Sequence, residues 1–280
     1  MSAKHIFDKY LRKDKLPHIW CAGCGNGTVM NALLHAIENS GLEQDKIVVV
    51  SGIGCSSRAN GYMNFCGMHT NHGRALAYAS GVKMFNPELK VIVVTGDGDC
   101  MSIGGNHFIH ACRRNIDITT VVFNNSNYGM TGGQYSPTTP SEAKTKTSIY
   151  GNMEPTFDIC SIAAASGATY VARSTAYHVK MLTTQLEKAL KHKGLSVVEA
   201  MCDCPTLYGR INNLGDGLAM FMDNKERAVT IKQAETMSPK DLQGKIVIGE
   251  FVNRTDIPEY TERYDQLIDK VRQAGANGGM

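Results

Sequence analysis

Short β-branched runs recur along the chain: KIVVVS at 46–51, KVIVVT at 90–95, ITTVVFN at 118–124, ATYVAR at 168–173 and LSVVEAM at 195–201. Between them the apolar positions fall at helical spacing. In NGTVMNALLHAIENSG, residues Val29, Met30, Leu33, Leu34 and Ile37 share one face, and Gly41 offers a C-cap. Similar helices are expected over 72–85, 103–114, 157–166 and 175–192. This alternation predicts an α/β fold, a parallel sheet with helices on both faces. Ligands of such sheets collect beyond the carboxyl ends of the strands. The five segments found there are GIGCSSR, GDGDCMSIGGNH, NSNYGMTGGQYSPTTP, STAY and CDCPT. Residues 205–280 show no strong strand alternation and read as an extended C-terminal arm packed on a neighbour, which divides the chain into 1–210 and 211–280.

Composition narrows the partners. A chain of 280 residues with 29 basic and 26 acidic side chains and a net charge of +3 gives no reason to invoke nucleic acid or a membrane. No apolar stretch approaches the roughly 20 residues of a spanning helix. The start, MSAKHIFDKYLRKDK, lacks the apolar centre of a secretory signal, so a soluble cytoplasmic protein is expected. Nine cysteines, an odd number without a secretion signal, favour metal or redox roles over a disulfide framework. The last residues, AGANGGM, are expected to fray.

SGIGCSSRANG, following a strand, superficially suits a dinucleotide. A site of that kind needs a carboxylate about 20 residues downstream for the ribose. Residues 46–87 contain no acidic residue; they hold Lys46, Arg58, Arg74, Lys83, His69 and His72, which suit an anion. GDGD, starting at Gly96, and NNSN at 124–127 are more specific. They set Asp97 and Asn125 at the ends of two strands, as hard oxygen donors aimed at a common point. Magnesium carrying a phosphate ligand would use such donors. Taken singly, each is as well explained as a turn residue.

The motifs WCAGCG, GIGCSSR, HGRALAYASGVK, GDGDCMSIGGNH, RRNIDIT and YGMTGGQYSPTTP together resemble the β subunit of the 2-oxoacid:ferredoxin oxidoreductases, most closely the two-subunit 2-oxoglutarate type. The resemblance runs from about residue 17 to 205. It implies a thiamine diphosphate domain in which Asp97, Asn125 and the Asn127 carbonyl hold Mg2+. Gly96, Gly98, Asp99, Gly129 and Met130 would cradle the diphosphate, and Ile53, Gly54, Cys55, Ser56 and His72 would line the cofactor. It also implies that Cys21, Cys24, Cys55 and Cys204 bind one [4Fe–4S] cluster, with Cys202 an extra neighbour. Four thiolates also suit a closed zinc site, the mark of a non-catalytic scaffold. Cys66, Cys100, Cys112 and Cys160 read as small buried hydrophobes, and His107 and His110 as packing or capping residues.

The implied reaction is coenzyme A-dependent oxidative decarboxylation of a 2-oxoacid, with electrons passed through the cluster to a separate ferredoxin. It can run in reverse as reductive carboxylation. 2-Oxoglutarate is the expected substrate, with pyruvate or a broad 2-oxoacid range as the alternative; a thiamine-dependent decarboxylase without a cluster is the nearest enzymatic competitor. The catalytic candidates are His72 and Arg58, the latter as partner of a substrate carboxylate. The glutamate that activates thiamine has no motif in this chain, so an α subunit, and a dimer of αβ units, are expected.

Overall fold

The computed structural model describes residues 5–276. Residues 277–280 of the glycine-rich end lie outside the described residues, and the helix Tyr260–Ala276 takes in the part before them.

Eight strands form one sheet: β1 (Ile47–Ser51), β2 (Cys66–His69), β3 (Lys90–Gly96), β4 (Ile118–Asn124), β5 (Tyr170–Thr175), β6 (Ser196–Met201), β7 (Ala228–Thr230) and β8 (Ile246–Asn253). Their order is β2-β1-β3-β4-β6-β5-β8-β7. Every pairing is parallel except β5 with β8. The period of two along each central strand builds a core on both faces. Val49, Ile92, Val94, Val121, Ala172 and Val198 pack under the helices Asn26–Ser40 and Val179–Lys191. Their neighbours Val50, Val91, Val93, Val122, Val171 and Val197 pack under the helices Ala75–Phe85, Gly105–Arg114 and Ile159–Ala165.

The five expected strands and helices are present, with ends shifted by a few residues. Gly41 does end the first long helix, at φ 67°, where a side chain would be strained. Three strands were not anticipated. β2 is an edge strand with all four side chains exposed, so it carries no burial pattern. β7 and β8 come from the stretch read as an extended arm: IVIGEFVN has the short β-branched run of a strand, interrupted by Gly249 at φ 145°. The residues after 205 therefore widen the sheet itself.

The chain leaves β1 toward β2 on one side and returns to β3 on the other, so the strand order reverses between β1 and β3. The carboxyl ends of these two strands carry GIGCSSR and GDGD. A crevice at such a reversal is where open α/β sheets take their ligands.

Candidate active site

A cavity of about 210 Å³ opens at this reversal. It is lined from β1 by Ile53, Gly54, Cys55 and Ser56, from β3 by Gly96, Asp97, Gly98 and Asp99, and from β4 by Asn125, Asn127, Tyr128, Gly129, Met130 and Thr131, with Phe123 and His72. Sixteen of the seventeen candidate site residues thus belong to this cavity or to the cysteine cavity beside it.

Asp97 is 2% exposed. Its Oδ2 accepts from Ser136 Oγ at 2.5 Å and Thr138 Oγ1 at 2.6 Å. Burial nevertheless pushes its carboxyl above the usual carboxylate range, against those two donors. On the open side, the Asn125 side-chain amide stands 3.3 Å from Asp97 Oδ1, 2.8 Å from the Asn127 carbonyl oxygen and 3.2 Å from Asn127 Oδ1. All three neighbours are acceptors. They are satisfied either by the Asn125 NH2 group or by a cation with the Asn125 oxygen turned toward it. Octahedral magnesium, with oxygens at roughly 2.0–2.1 Å, spaces adjacent ligands about 3 Å apart, which these separations match.

Asp99, expected to cradle the diphosphate, lines the cavity with its carboxylate engaged elsewhere. Its carboxylate accepts from Gly73 N at 2.6 Å, Ile53 N at 3.3 Å and Thr95 Oγ1 at 2.8 Å, and lies 2.5 Å from His72 Nδ1. It ties three segments together beneath the cavity, which leaves its main chain, at the start of the turn Asp99–Ile103, to face a ligand. Gly52 permits this arrangement, because a Cβ there would collide with the Asp99 carboxylate. A Cβ at Gly98 would likewise strike the ring of Tyr128, whose hydroxyl donates to the Gly98 carbonyl at 3.1 Å.

A second cavity, of about 240 Å³, adjoins the first and is lined by Cys21, Cys24, Cys55 and Cys204 among Ile19, Trp20, Pro205 and Leu207. Cys55, Asn125, Gly129 and Met130 line both cavities. Burial and the neighbouring cysteines push the Cys24 thiol up to about 12 and the Cys55 thiol up to about 11. These are groups that ionise readily only beside a metal. Among the described residues, no three His, Cys, Asp or Glu side chains stand close enough to hold a single metal ion. Cys202 faces away, with its thiol donating to Asn26 Oδ1 at 3.4 Å. Cys100, Cys112 and Cys160 are buried as expected; Cys66 is exposed instead, because it lies on the edge strand β2.

A model of the thiamine pyrophosphate enzyme C-terminal TPP binding domain matches residues 52–200. The 2-oxoglutarate synthase subunit KorB of Methanocaldococcus jannaschii is 49% identical over 264 residues, covering 94% of this chain and 97% of its own length. The subunit of the same name from Archaeoglobus fulgidus is 51% identical over 270 residues, covering 96% and 97%. The chain belongs to the 2-oxoacid:ferredoxin oxidoreductase β subunits. A solved structure of 2-oxoglutarate:ferredoxin oxidoreductase from Magnetococcus marinus, with 2-oxoglutarate, coenzyme A and succinyl-CoA bound, matches with a TM-score of 0.83 at 31% identity, over 99% of this chain and 92% of that one.

Within this thiamine diphosphate-dependent family, one expected residue stands apart from the cavities. Arg58 is exposed and does not line either; its charge adds to burial in holding His69 below the ordinary histidine range. Ser136, Thr138 and Tyr128 were not singled out from sequence. YSPTTP did announce a hydroxyl cluster, but nothing local shows that it folds back onto Asp97, some 40 positions earlier.

Proposed function

We propose that this chain holds magnesium thiamine diphosphate and one [4Fe–4S] cluster, and with an α subunit converts 2-oxoglutarate and coenzyme A to succinyl-CoA and carbon dioxide, releasing electrons to ferredoxin. The observation that carries this reading is the shared wall: the Asp97 cavity and the four-cysteine cavity meet at Cys55 and Gly129. A decarboxylase without electron transfer has no use for that adjacency.

Thiamine diphosphate supplies the electron sink for decarboxylation, and an iron–sulfur cluster supplies one-electron acceptance. The chain's own residues do the rest. Ser136 and Thr138 occupy Asp97 Oδ2 and so turn Oδ1 toward the cation, with Asn125 and Asn127 completing its oxygen donors. A cation there offsets the burial of Asp97 and the charge of the diphosphate, against which Gly98, Asp99, Gly129 and Met130 lie. Cys21, Cys24, Cys55 and Cys204 hold the cluster. Four thiolates also suit one zinc ion; the cavity they share a wall with, which would hold a cofactor that must shed electrons, favours the cluster.

The cavity lining contains Asp97 and Asp99 but no glutamate. The thiamine-activating carboxylate therefore comes from the α subunit, which also supplies much of the substrate pocket, and residues 211–280 pack on it in a dimer of αβ units. No helix among the described residues is long and apolar enough to cross a membrane. Nine free cysteines suit the reducing cytoplasm.

The test is an anaerobic visible spectrum, with iron, sulfide, zinc and thiamine analysis, on the chain purified with its natural partner. About four irons per chain, with thiamine present and bleaching by 2-oxoglutarate plus coenzyme A, is expected. Zinc without iron would sink the electron-transfer reading.

A further inference from the structure

Asn127 lines the first cavity and reaches Cys204 in the wall of the second. It is 4% exposed. Its carbonyl oxygen and Oδ1 stand in the oxygen-rich corner beside Asn125 and Asp97, while its Nδ2 donates to Cys204 Sγ at 3.7 Å. Among the described residues it is the one side chain that donates to the sulfur of any of the four cavity cysteines. Gly129 packs against the same groups: a Cβ there would lie at van der Waals contact, 3.4 Å from Cys55 Sγ, 3.7 Å from Cys204 Sγ and 3.8 Å from Asn127 Oδ1.

An N–H directed at a thiolate sulfur stabilises negative charge, so it favours the reduced form of a cluster bound through that sulfur; such bonds are among the determinants of cluster potential. The same amide is conjugated. A cation drawing on Oδ1 withdraws electron density from Nδ2 and strengthens its N–H as a donor.

We propose that Asn127 is a positioning residue that couples the two centres: filling the cation–diphosphate site raises the reduction potential of the cluster at Cys204. Linkage then requires that reducing the cluster tighten the cation–diphosphate site by the same factor. This rests on the cluster reading above. It assigns to one amide a communication that needs no moving part.

The experiment is an EPR-monitored anaerobic redox titration of the αβ enzyme, first freed of magnesium and thiamine diphosphate with a chelator and then with both restored. Wild type, Asn127→Leu, which keeps the volume without the donor, and Asn127→Asp, which keeps the shape, are compared at equal iron content. The wild-type midpoint is expected to move positive when the cofactor is restored. Both variants are expected to start more negative and to respond less. A wild-type midpoint indifferent to the cofactor, or variants with the wild-type midpoint and response, would overturn the coupling. A wild-type enzyme without iron overturns the cluster reading itself, and analysis shows this before any titration.

Discussion

Asp97 is the side chain on which the diphosphate end of the site depends, and its neighbours explain why it works when buried. Two hydroxyls hold one oxygen and the Asn125 amide faces the other, where the proposed cation would sit, so neither lone-pair set is left bare. Thr138 Oγ1 also lies 3.0 Å from Asn124 Oδ1, and Asn124 donates to the buried Glu199 at 2.7 Å, so the hydroxyl that holds the carboxylate is itself packed against a fixed polar pair. Partners of this kind typically contribute about 10–100-fold in metal affinity. Thr138→Val is expected to weaken Mg2+ and thiamine diphosphate binding by roughly that factor with an unchanged melting curve; isothermal titration of the αβ enzyme checks it. Arg58 is exposed beyond the cavity lining; in the proposed enzyme it meets a substrate carboxylate once the partner encloses the site. A charge-assisted hydrogen bond contributes about 1.5–3 kcal/mol. Arg58→Ala should therefore raise KM for 2-oxoglutarate roughly tenfold or more, with a smaller effect on pyruvate. Equal effects on both acids would remove this role.

At the level of strands and helices, chemistry and stability occupy opposite edges of the sheet. The carboxyl ends of β1, β3 and β4 carry the cavity, while at the amino ends Lys83, from the helix Ala75–Phe85, pairs with Asp117 at 2.7 Å. Lys83 also donates to the carbonyls of Pro87 at 2.8 Å and Leu89 at 2.9 Å. Burial alone would raise the Asp117 carboxyl, but Lys90 and Lys83 outweigh it and hold it below the usual range. A depressed carboxylate contributes stability above its unfolded value of about 3.9 and loses it as pH falls through the folded value. Lys83→Ala is expected to cost about 3 kcal/mol at neutral pH, the low end for a broken buried pair because Lys90 remains. The penalty should shrink below about pH 4 as Asp117 takes a proton. Urea unfolding of wild type and variant across pH checks this, and magnesium binding by the folded variant should be unaltered.

The whole molecule presents an incomplete site. Ile53, Ile103, Met130 and Tyr78, all exposed, lie on the cavity lining or on the segments around its mouth, where apolar groups are usually covered by a partner. The purified chain alone is expected to bind iron and yet show no 2-oxoglutarate-dependent reduction of ferredoxin, with activity appearing only on addition of the α subunit. Turnover by the isolated chain would place the activating carboxylate within it after all.

Much of this was legible from local pattern. The runs KIVVVS, KVIVVT and ITTVVFN announced buried parallel strands because continuous apolar stretches suit a sheet covered on both faces. GDGD and NNSNYG announced an oxygen-donor site because those residue types appear together at strand ends. β8 was readable too, since IVI and FV are β-formers, but its glycine and its distance from the other strands hid that it pairs with β5. Other features have no local trace. Ser136 and Thr138 reach Asp97 across a long loop, Asp99 spends its carboxylate beneath the cavity, Cys202 turns away while Cys204 lines the cysteine cavity, and Asn127 stands between Asn125 and Cys204. Backbone conformation and burial depend on neighbours in the chain and can be read there; which polar groups meet depends on how distant segments close on one another, because a hydrogen bond exists only between atoms that the fold brings within about 3 Å.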